Sequence, residues 1–415
     1  LVYINHFRKR SGLYVFFGTF MARLLSFITS WIALQLIPNK ELGVVVYALN
    51  FILFIIPLGG FGLHQGLIRY GSLLKSNEEK DTLFIYVLKK GTLVSILLIA
   101  FIIIVSSLAS FRFENTSTYI ILLSIIILPM YILEIIKIQF RLKHDNKSFI
   151  LTEVTYNVIL VVMVLVLSFY FEEKGYVVAL ILGPIITALI FIKKLNINFS
   201  NINVLSITDS SFWKYGFFSS MSNVVTQLLF IIDILLIGNL LNNAEMITNY
   251  KYLTLIPFSI LFLPQSFMNT DFVSFTENIK NKKYIHNYIK NYMLLFGIIS
   301  VLFIVFSWLF SEYLLRIFGE EFIKYTETFM ILVVGVCGIL FIRGLFGNLL
   351  SSLGKANMNF IITAIALLLN FILNNYLIPI YGIKGAAITS AILMWFTGIL
   401  SFLLFKYYFK KQHTF

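Results

Sequence analysis

Residues 99–105 read Ile99-Ala100-Phe101-Ile102-Ile103-Ile104-Val105. Seven consecutive apolar residues fit neither a barrel strand, which alternates lipid-facing and lumen-facing side chains, nor a soluble helix, which carries a polar stripe. Followed outward in both directions, the run covers 91–110, about the 20 residues that a helix needs to cross the hydrocarbon core. Eleven further runs of this kind occur, at 11–37, 43–64, 117–137, 149–170, 175–192, 212–238, 246–269, 289–310, 323–345, 358–379 and 383–405. Composition agrees: 59% of the 415 residues are hydrophobic and 12% are charged, against about 45–50% and about 25% in soluble domains. These values exclude a soluble enzyme, a disordered chain and a secreted disulfide scaffold. The single Cys337 leaves no internal disulfide and no cysteine-rich metal centre. The expected fold is an all-α polytopic membrane protein of about twelve transmembrane helices. Two of the runs are interrupted, the second by Pro57-Leu58-Gly59-Gly60 and the eighth by Pro257 and Pro264.

Basic residues set the orientation, because Lys and Arg accumulate in cytoplasmic loops. With the N-terminus inside, 24 of the 32 Lys and Arg fall on the cytoplasmic side, in clusters such as Lys89-Lys90, Lys193-Lys194 and Lys410-Lys411. Six fall outside: Lys40, Arg112, Lys174, Arg316, Lys324 and Lys384. The two that remain, Arg23 and Lys251, lie well inside runs. A missed helix would invert every later loop, so this asymmetry supports an even count with both termini cytoplasmic. The first run lacks a small-residue cleavage site and reads as a retained span. Leu1 in place of Met fits an alternative start codon or a trimmed chain.

A faint internal repeat accompanies the even count. An offset of 200 pairs Thr19 with Ser219, Arg23 with Asn223, Ser26 with Thr226 and Pro57 with Pro257; at 210, Lys174-Gly175 meets Lys384-Gly385. The expected organisation is an N-terminal six-helix bundle over 1–194, a cytoplasmic linker over 195–211 and a C-terminal six-helix bundle over 212–415. Parallel halves around a central cavity, with the substrate site between them, form a recurring transporter plan.

Polar side chains in the spans are the candidates for function, since a charge at mid-bilayer is costly and faces a bundle interior or a wet cavity. Thr19, Arg23, Ser26 and Ser30 share one face of the first span, and Ser219, Asn223, Thr226 and Asp233 recur similarly on the seventh. Both stripes fit a shared hydrophilic lumen; hydroxyls and amides at these positions also fit interhelical packing bonds. An isolated Arg23 guanidinium requires an anion. Asp233 and Lys251 lie at similar depth, as a buried ion pair or as a titrating carboxylate beside a substrate-touching ammonium. Glu134 and Glu153 fit an interfacial position or pairing with Lys137 or Lys147. Asn370 and Asn374 read as interhelical hydrogen bonds.

No phosphate-binding loop, no His pair at metal-ligand spacing and no recognisable nucleophile–base set is present. The outer loops are short for an enzyme that joins polysaccharide on the outer face. The basic loops need no nucleic acid, because they orient the chain and meet the lipid bilayer.

Several stretches carry a resemblance: Gly60-Phe61-Gly62-Leu63-His64-Gln65-Gly66-Leu67-Ile68-Arg69-Tyr70; Asp233-Ile234-Leu235-Leu236-Ile237-Gly238; Phe318-Gly319-Glu320-Glu321-Phe322; and Asn374-Asn375-Tyr376-Leu377-Ile378-Pro379-Ile380-Tyr381-Gly382-Ile383-Lys384-Gly385-Ala386-Ala387-Ile388. Over essentially the whole chain these resemble the polysaccharide-export, O-antigen-type repeat-unit flippases of the multidrug/oligosaccharidyl-lipid/polysaccharide exporter superfamily. The dense arginine cluster that the lipid II flippase branch carries in its first two helices is not seen. The resemblance implies two six-helix bundles that open alternately to each side of a bacterial inner (plasma) membrane. The substrate would be an undecaprenyl-pyrophosphate-linked glycan, flipped for O-antigen, capsule or exopolysaccharide synthesis. Polysaccharide polymerase and chain-length proteins would be its partners. No cofactor is implied. Arg23 would be the leading diphosphate contact, with Arg69 and Arg343 at the cytoplasmic mouth and Lys251 further out, while stripe hydroxyls and amides bond sugar. Asp233 is the carboxylate for coupling to protons or sodium, and a substrate gradient would serve as well. The competing readings are a cation-coupled multidrug-type exporter and a polytopic glycan polymerase or ligase.

Overall fold

The computed structural model describes residues 12–197, 208–265, 267, 278–353 and 355–412, with backbone alone at 12, 13, 15, 222, 226, 230, 356 and 412. Every regular element among them is helical: α1 (Gly12–Leu36), α2 (Asn39–Ile55), α3 (Leu63–Gly71), α4 (Asn77–Leu108), α5 (Thr116–Ser124), α6 (Ile127–Leu142), α7 (Asn146–Lys194), α8 (Ser210–Leu241), α9 (Ala244–Ser259), α10 (Lys282–Arg316), α11 (Thr326–Gly338), α12 (Gly344–Ser352), α13 (Ala356–Tyr381) and α14 (Ile383–Gln412). In lipid a backbone must satisfy its own polar groups, which leaves the helix as the solution for such apolar runs. Helix starts are marked by short polar residues at the loop ends. Ser76 and Glu79 form a reciprocal capping box on α4. Asp145, Asp209, Asn243 and Asn281 accept backbone N–H bonds at the starts of α7, α8, α9 and α10.

Nine helical stretches among the described residues are long and apolar enough to cross a membrane, or ten when the bent pair Ser210–Leu229 and Ile231–Leu241 is joined. The expected twelve differ from this number for two local reasons. The 49-residue α7 counts once, yet its backbone leaves the helix at Glu172 (φ 48°, ψ −126°). A Cβ on Gly175 would fall 2.0 Å from the Leu167 carbonyl oxygen, and one on Gly183 would touch Leu160 and Tyr156. Residues eight or more apart that touch in this way belong to an antiparallel hairpin, so α7 holds the fifth and sixth expected spans. The eighth, 246–269, is represented by α9, whose 16 residues end after Pro257; residues 266, 268 and 269 lie outside the described set.

The chain divides into two compact units, 1–228 and 229–415. The division falls inside α8, close to its bend, rather than in the 195–211 segment, of which 198–207 lie outside the described residues. Unit one is built around Leu63, Leu83, Phe84, Tyr131, Ile135 and Phe212, contributed by α3, α4, α6 and the start of α8. Tyr131 is central to this core: its hydroxyl donates to the Val87 carbonyl at 2.8 Å, and Gly60 and Gly91 leave room for its ring. The second span breaks after Pro57, where Gly60, Phe61 and Gly62 all take positive φ. The freed Gly60 N–H donates to Ser95 Oγ at 2.9 Å. Unit two is built around Phe296, Val336, Leu340, Phe346 and Ile362.

The repeat offset of 210 recurs in the backbone. Glu172 has a counterpart at Gly382 (φ 59°, ψ −141°), and Gly385 meets the Leu377 carbonyl as Gly175 meets that of Leu167. Each unit thus contains the same helical hairpin.

Candidate functional site

The most developed polar centre lies in unit two, on α8, α9, α13 and α14. Asp233 is 4% exposed and stands among aliphatic neighbours on its own helix. Its Oδ1 accepts from Asn370 Nδ2 at 2.9 Å and Asn374 Nδ2 at 2.7 Å. Its Oδ2 accepts from the Tyr250 hydroxyl at 2.8 Å and from Ser390 Oγ. Asn370 and Asn374 sit one turn apart on α13, so both amides reach one carboxylate, and Asn374 also donates to Asn370 Oδ1 at 2.8 Å. Lys251 is no ion-pair partner of Asp233, which corrects the pairing left open by the sequence: the carboxylate is held by neutral donors. Four such bonds offset the cost of burying it. The Asn374 Oδ1 and the Thr389 Oγ1 are buried and unpartnered. The centre can therefore do two things chemically: take up a proton on Asp233, or offer carboxylate, amide and hydroxyl oxygens to a small hard cation.

Arg343 belongs to a second polar centre of the same unit. The sequence ended the tenth span at 345 and placed Arg343 at its mouth. Helix continues instead through Ser352, so Arg343 lies within the span, about 13 Å along the axis from its end. It closes a wide-turn segment, Ile339–Arg343, of the i→i+5 type that recurs at functional sites. The Tyr292 hydroxyl donates to the Leu340 carbonyl there at 3.1 Å. The guanidinium donates to Asn359 Oδ1 at 2.9 Å and to Ser401 Oγ. Asn359 is fixed in turn by the Gly347 carbonyl at 2.7 Å and Ser351 Oγ at 2.9 Å. All of these acceptors are neutral. A guanidinium has five donors in a fork, and the two bonds named use one nitrogen, so the side chain is oriented by the cluster without being neutralised.

The other sequence candidates fall into separate surroundings. Arg23 and Ser26 are exposed on α1, Thr19 is half-buried, and Ser30 donates to the Ser26 carbonyl. The adjacent face, with Gly18, Ala22, Thr29 and Ala33, packs on α7. Arg69 is exposed near the end of α3, its guanidinium 4.2 Å from the Tyr215 ring centre. Ser219 is half-buried and 3.5 Å from Gln65, Asn223 is exposed, and the Thr226 side chain lies outside the described residues. Lys251 is half-buried on α9. Arg23, Arg69, Lys251 and Arg343 make no ion pair with any described residue, whereas Lys137, Lys143, Arg316 and Lys384 each do. Asp233 does not join the exposed face of its stripe.

Two features carried little signal in the sequence. Lys137 bridges Glu134 at 2.8 Å and Glu153 at 3.0 Å, which realises one of the two settings read for those glutamates. His64, after the break in the second span, is buried with its Nδ1 unpartnered. An i,i+3 spacing announced the Glu134–Lys137 contact, while Glu153, which arrives from another helix, was left between the interface, Lys137 and Lys147 and takes Lys137.

The MatE family model matches residues 219–376, from the middle of α8 to α13. No curated protein matches the sequence. Solved structures share the fold. An inward-facing multidrug resistance MATE family transporter of the MOP superfamily is 16% identical, covers 94% of this chain and 95% of its own, and has a TM-score of 0.70. The lipid II flippase MurJ in an inward closed conformation is 18% identical, with 97% and 90% covered and a TM-score of 0.74. A MOP superfamily transporter from Pyrococcus furiosus Vc1, described by the reverse polarity of its binding pocket, is 15% identical, with 97% and 95% covered and a TM-score of 0.65. The chain therefore has the all-helical fold of MATE and lipid-flippase transporters.

Proposed function

We propose that this protein is a flippase for a lipid-linked oligosaccharide, carrying an undecaprenyl-pyrophosphate-linked repeat unit from the inner to the outer leaflet of a bacterial plasma membrane by alternating access. The observation that carries the reading is the set of cations without carboxylates: Arg23, Arg69, Lys251 and Arg343. Uncompensated guanidinium and ammonium groups in membrane spans call for an anionic ligand, and Arg suits the two acceptor edges of a diphosphate. Arg23 would meet the diphosphate first. Arg343, held by Asn359 and Ser401, would take phosphate oxygens with its remaining donors. Ser26, Ser219 and Asn223 would bond sugar hydroxyls, with Thr19 and Thr226 beside them on the stripes. The lipid tail would stay in the bilayer, and the delivered unit would pass to a polymerase and its chain-length partner.

Asp233 is the coupling group in this proposal. Proton or sodium uptake at its carboxylate would redistribute the bonds from Asn370, Asn374, Tyr250 and Ser390, and so bias one conformation against another.

A second reading, cation-coupled export of drugs, is favoured by the family-model match over 219–376. It needs a carboxylate facing the drug, whereas Asp233 is buried and fully bonded. The deciding experiment is deletion of the gene, followed by analysis of inner-leaflet lipids and of drug susceptibility. Accumulation of one lipid-linked glycan is expected. Drug hypersensitivity with unchanged lipids would establish the exporter instead.

A further inference from the structure

Unit one contains an apolar groove to which the proposed flipping assigns no role. It has a volume of about 390 Å³ and exposes no polar surface. Its walls are Ile96 and Ile99 of α4, Pro129 and Ile132 of α6, and Ile185 and Leu189 of the second arm of α7. The fourth expected span tightens beside the groove. Helix α5 stops at Ser124 and α6 begins at Ile127, with Ile125 and Ile126 in tight i→i+3 turns. Pro129, lacking an N–H, sits in the first turn of α6, where that loss is harmless.

One end of this groove is basic. Lys89 lies seven residues before Ile96 on α4, on the same helical face, and Lys193 lies four after Leu189 on α7. Lys90 and Lys194 stand beside them, and all four are exposed. None makes an ion pair with a described residue, although burial, the largest single influence on the Asp145 carboxyl and an upward one, is outweighed by hydrogen bonds from Ser148 with help from Lys194, which together hold it below its usual range. From Lys89 to Ile99 is about 15 Å at helical rise, half of a hydrocarbon core about 30 Å thick. With Lys89 at the headgroup level, Ile99 would lie near the bilayer centre, so the groove and its basic end would match one leaflet.

We infer that this groove holds a single anionic phospholipid, one acyl chain lying against Ile96, Ile99, Ile132 and Leu189 and the phosphate between Lys89 and Lys193. A bilayer lipid fits better than the tail of a carried lipid, because the groove and its basic end match one leaflet and the collar consists of flexible ammonium groups suited to a monoanionic phosphate diester. Basic pockets between spanning helices select such headgroups on the cytoplasmic side, the side on which the orientation count places these lysines.

The test uses the full chain with phosphatidylglycerol or phosphatidylcholine and reads retained lipid by native mass spectrometry. One phosphatidylglycerol should be retained in preference to phosphatidylcholine. The double variant Lys89→Gln, Lys193→Gln should reduce that preference by about thirtyfold, with recovery in the Arg pair. Leu189→Trp, at an exposed position, should fill the groove and abolish retention while helix content stays unchanged. Equal retention of both lipids, an unaffected Leu189→Trp variant, or displacement by undecaprenyl phosphate in preference to phosphatidylglycerol would each overturn the inference.

Discussion

Asp233 and Arg343 present opposite problems with one solution. Each is an ionisable group inside a membrane span, and each is held by neutral side chains from other helices, 16 to 157 residues away in the chain. Neutral partners fix geometry without cancelling charge, which leaves the group free to respond to an ion. Asp233→Asn keeps the shape and removes the charge. Surface polysaccharide should fall at least tenfold at normal protein level, and the dependence of transport on the proton or sodium gradient should disappear. Unchanged gradient dependence would remove Asp233 from coupling. Asn370→Ala strips one donor from the buried carboxylate and should cost about 1–3 kcal/mol in unfolding experiments in detergent. For Arg343, the planar fork matters as much as the charge. Lys cannot reach Asn359, Ser401 and a phosphate together, so Arg343→Lys should behave nearly as badly as Arg343→Gln. Full activity of the Lys variant would show that a point charge suffices.

Among the elements, the two terminal hairpins are the informative pair. Glu172 and Gly382 occupy equivalent turns with nearly the same dihedral angles, but only one of them is glycine. A side chain at positive φ costs about 1–3 kcal/mol. Glu172→Gly should therefore raise the stability of the protein by about 1 kcal/mol, read as a higher thermal midpoint in detergent. At Gly385 a Cβ would fall 2.3 Å from the Leu377 carbonyl oxygen, so Gly385→Val should separate the helices and lower the midpoint. A rise in the midpoint there would contradict the close approach. The sequence repeat at 174–175 and 384–385 pointed to these turns. The gap between the runs 149–170 and 175–192 pointed to the first of them as well, and Glu172 falls within that gap.

Orientation and transport belong to the whole molecule. A cysteine placed at Lys283 should be shielded from an impermeant thiol reagent in intact cells, and one at Lys384 should react; the only native thiol, Cys337, is buried. The opposite labelling pattern would reverse the orientation. Twenty-four basic residues supported that orientation, and moving Arg343 from the loop into a span subtracts one without altering the asymmetry.

Apolar runs, their number within one or two, the breaks at Pro57 and Pro257, and the helical fold were all readable from residues 12–412, because hydrocarbon imposes its requirement on each segment separately. The sequence also marked Asp233, Asn370, Asn374 and Arg343 as unusual, since polar groups stand out against an apolar background. It could not say that the first three meet or that Lys251 stays apart from Asp233, and it left open whether Glu153 reaches Lys137, Lys147 or the interface. Those facts depend on which helix faces are pressed together, over separations of up to 157 residues. Hydropathy is a property of a segment, while a hydrogen bond between helices exists only once packing has chosen their rotation and depth. Spans were set by composition, and the polar centres by tertiary contact.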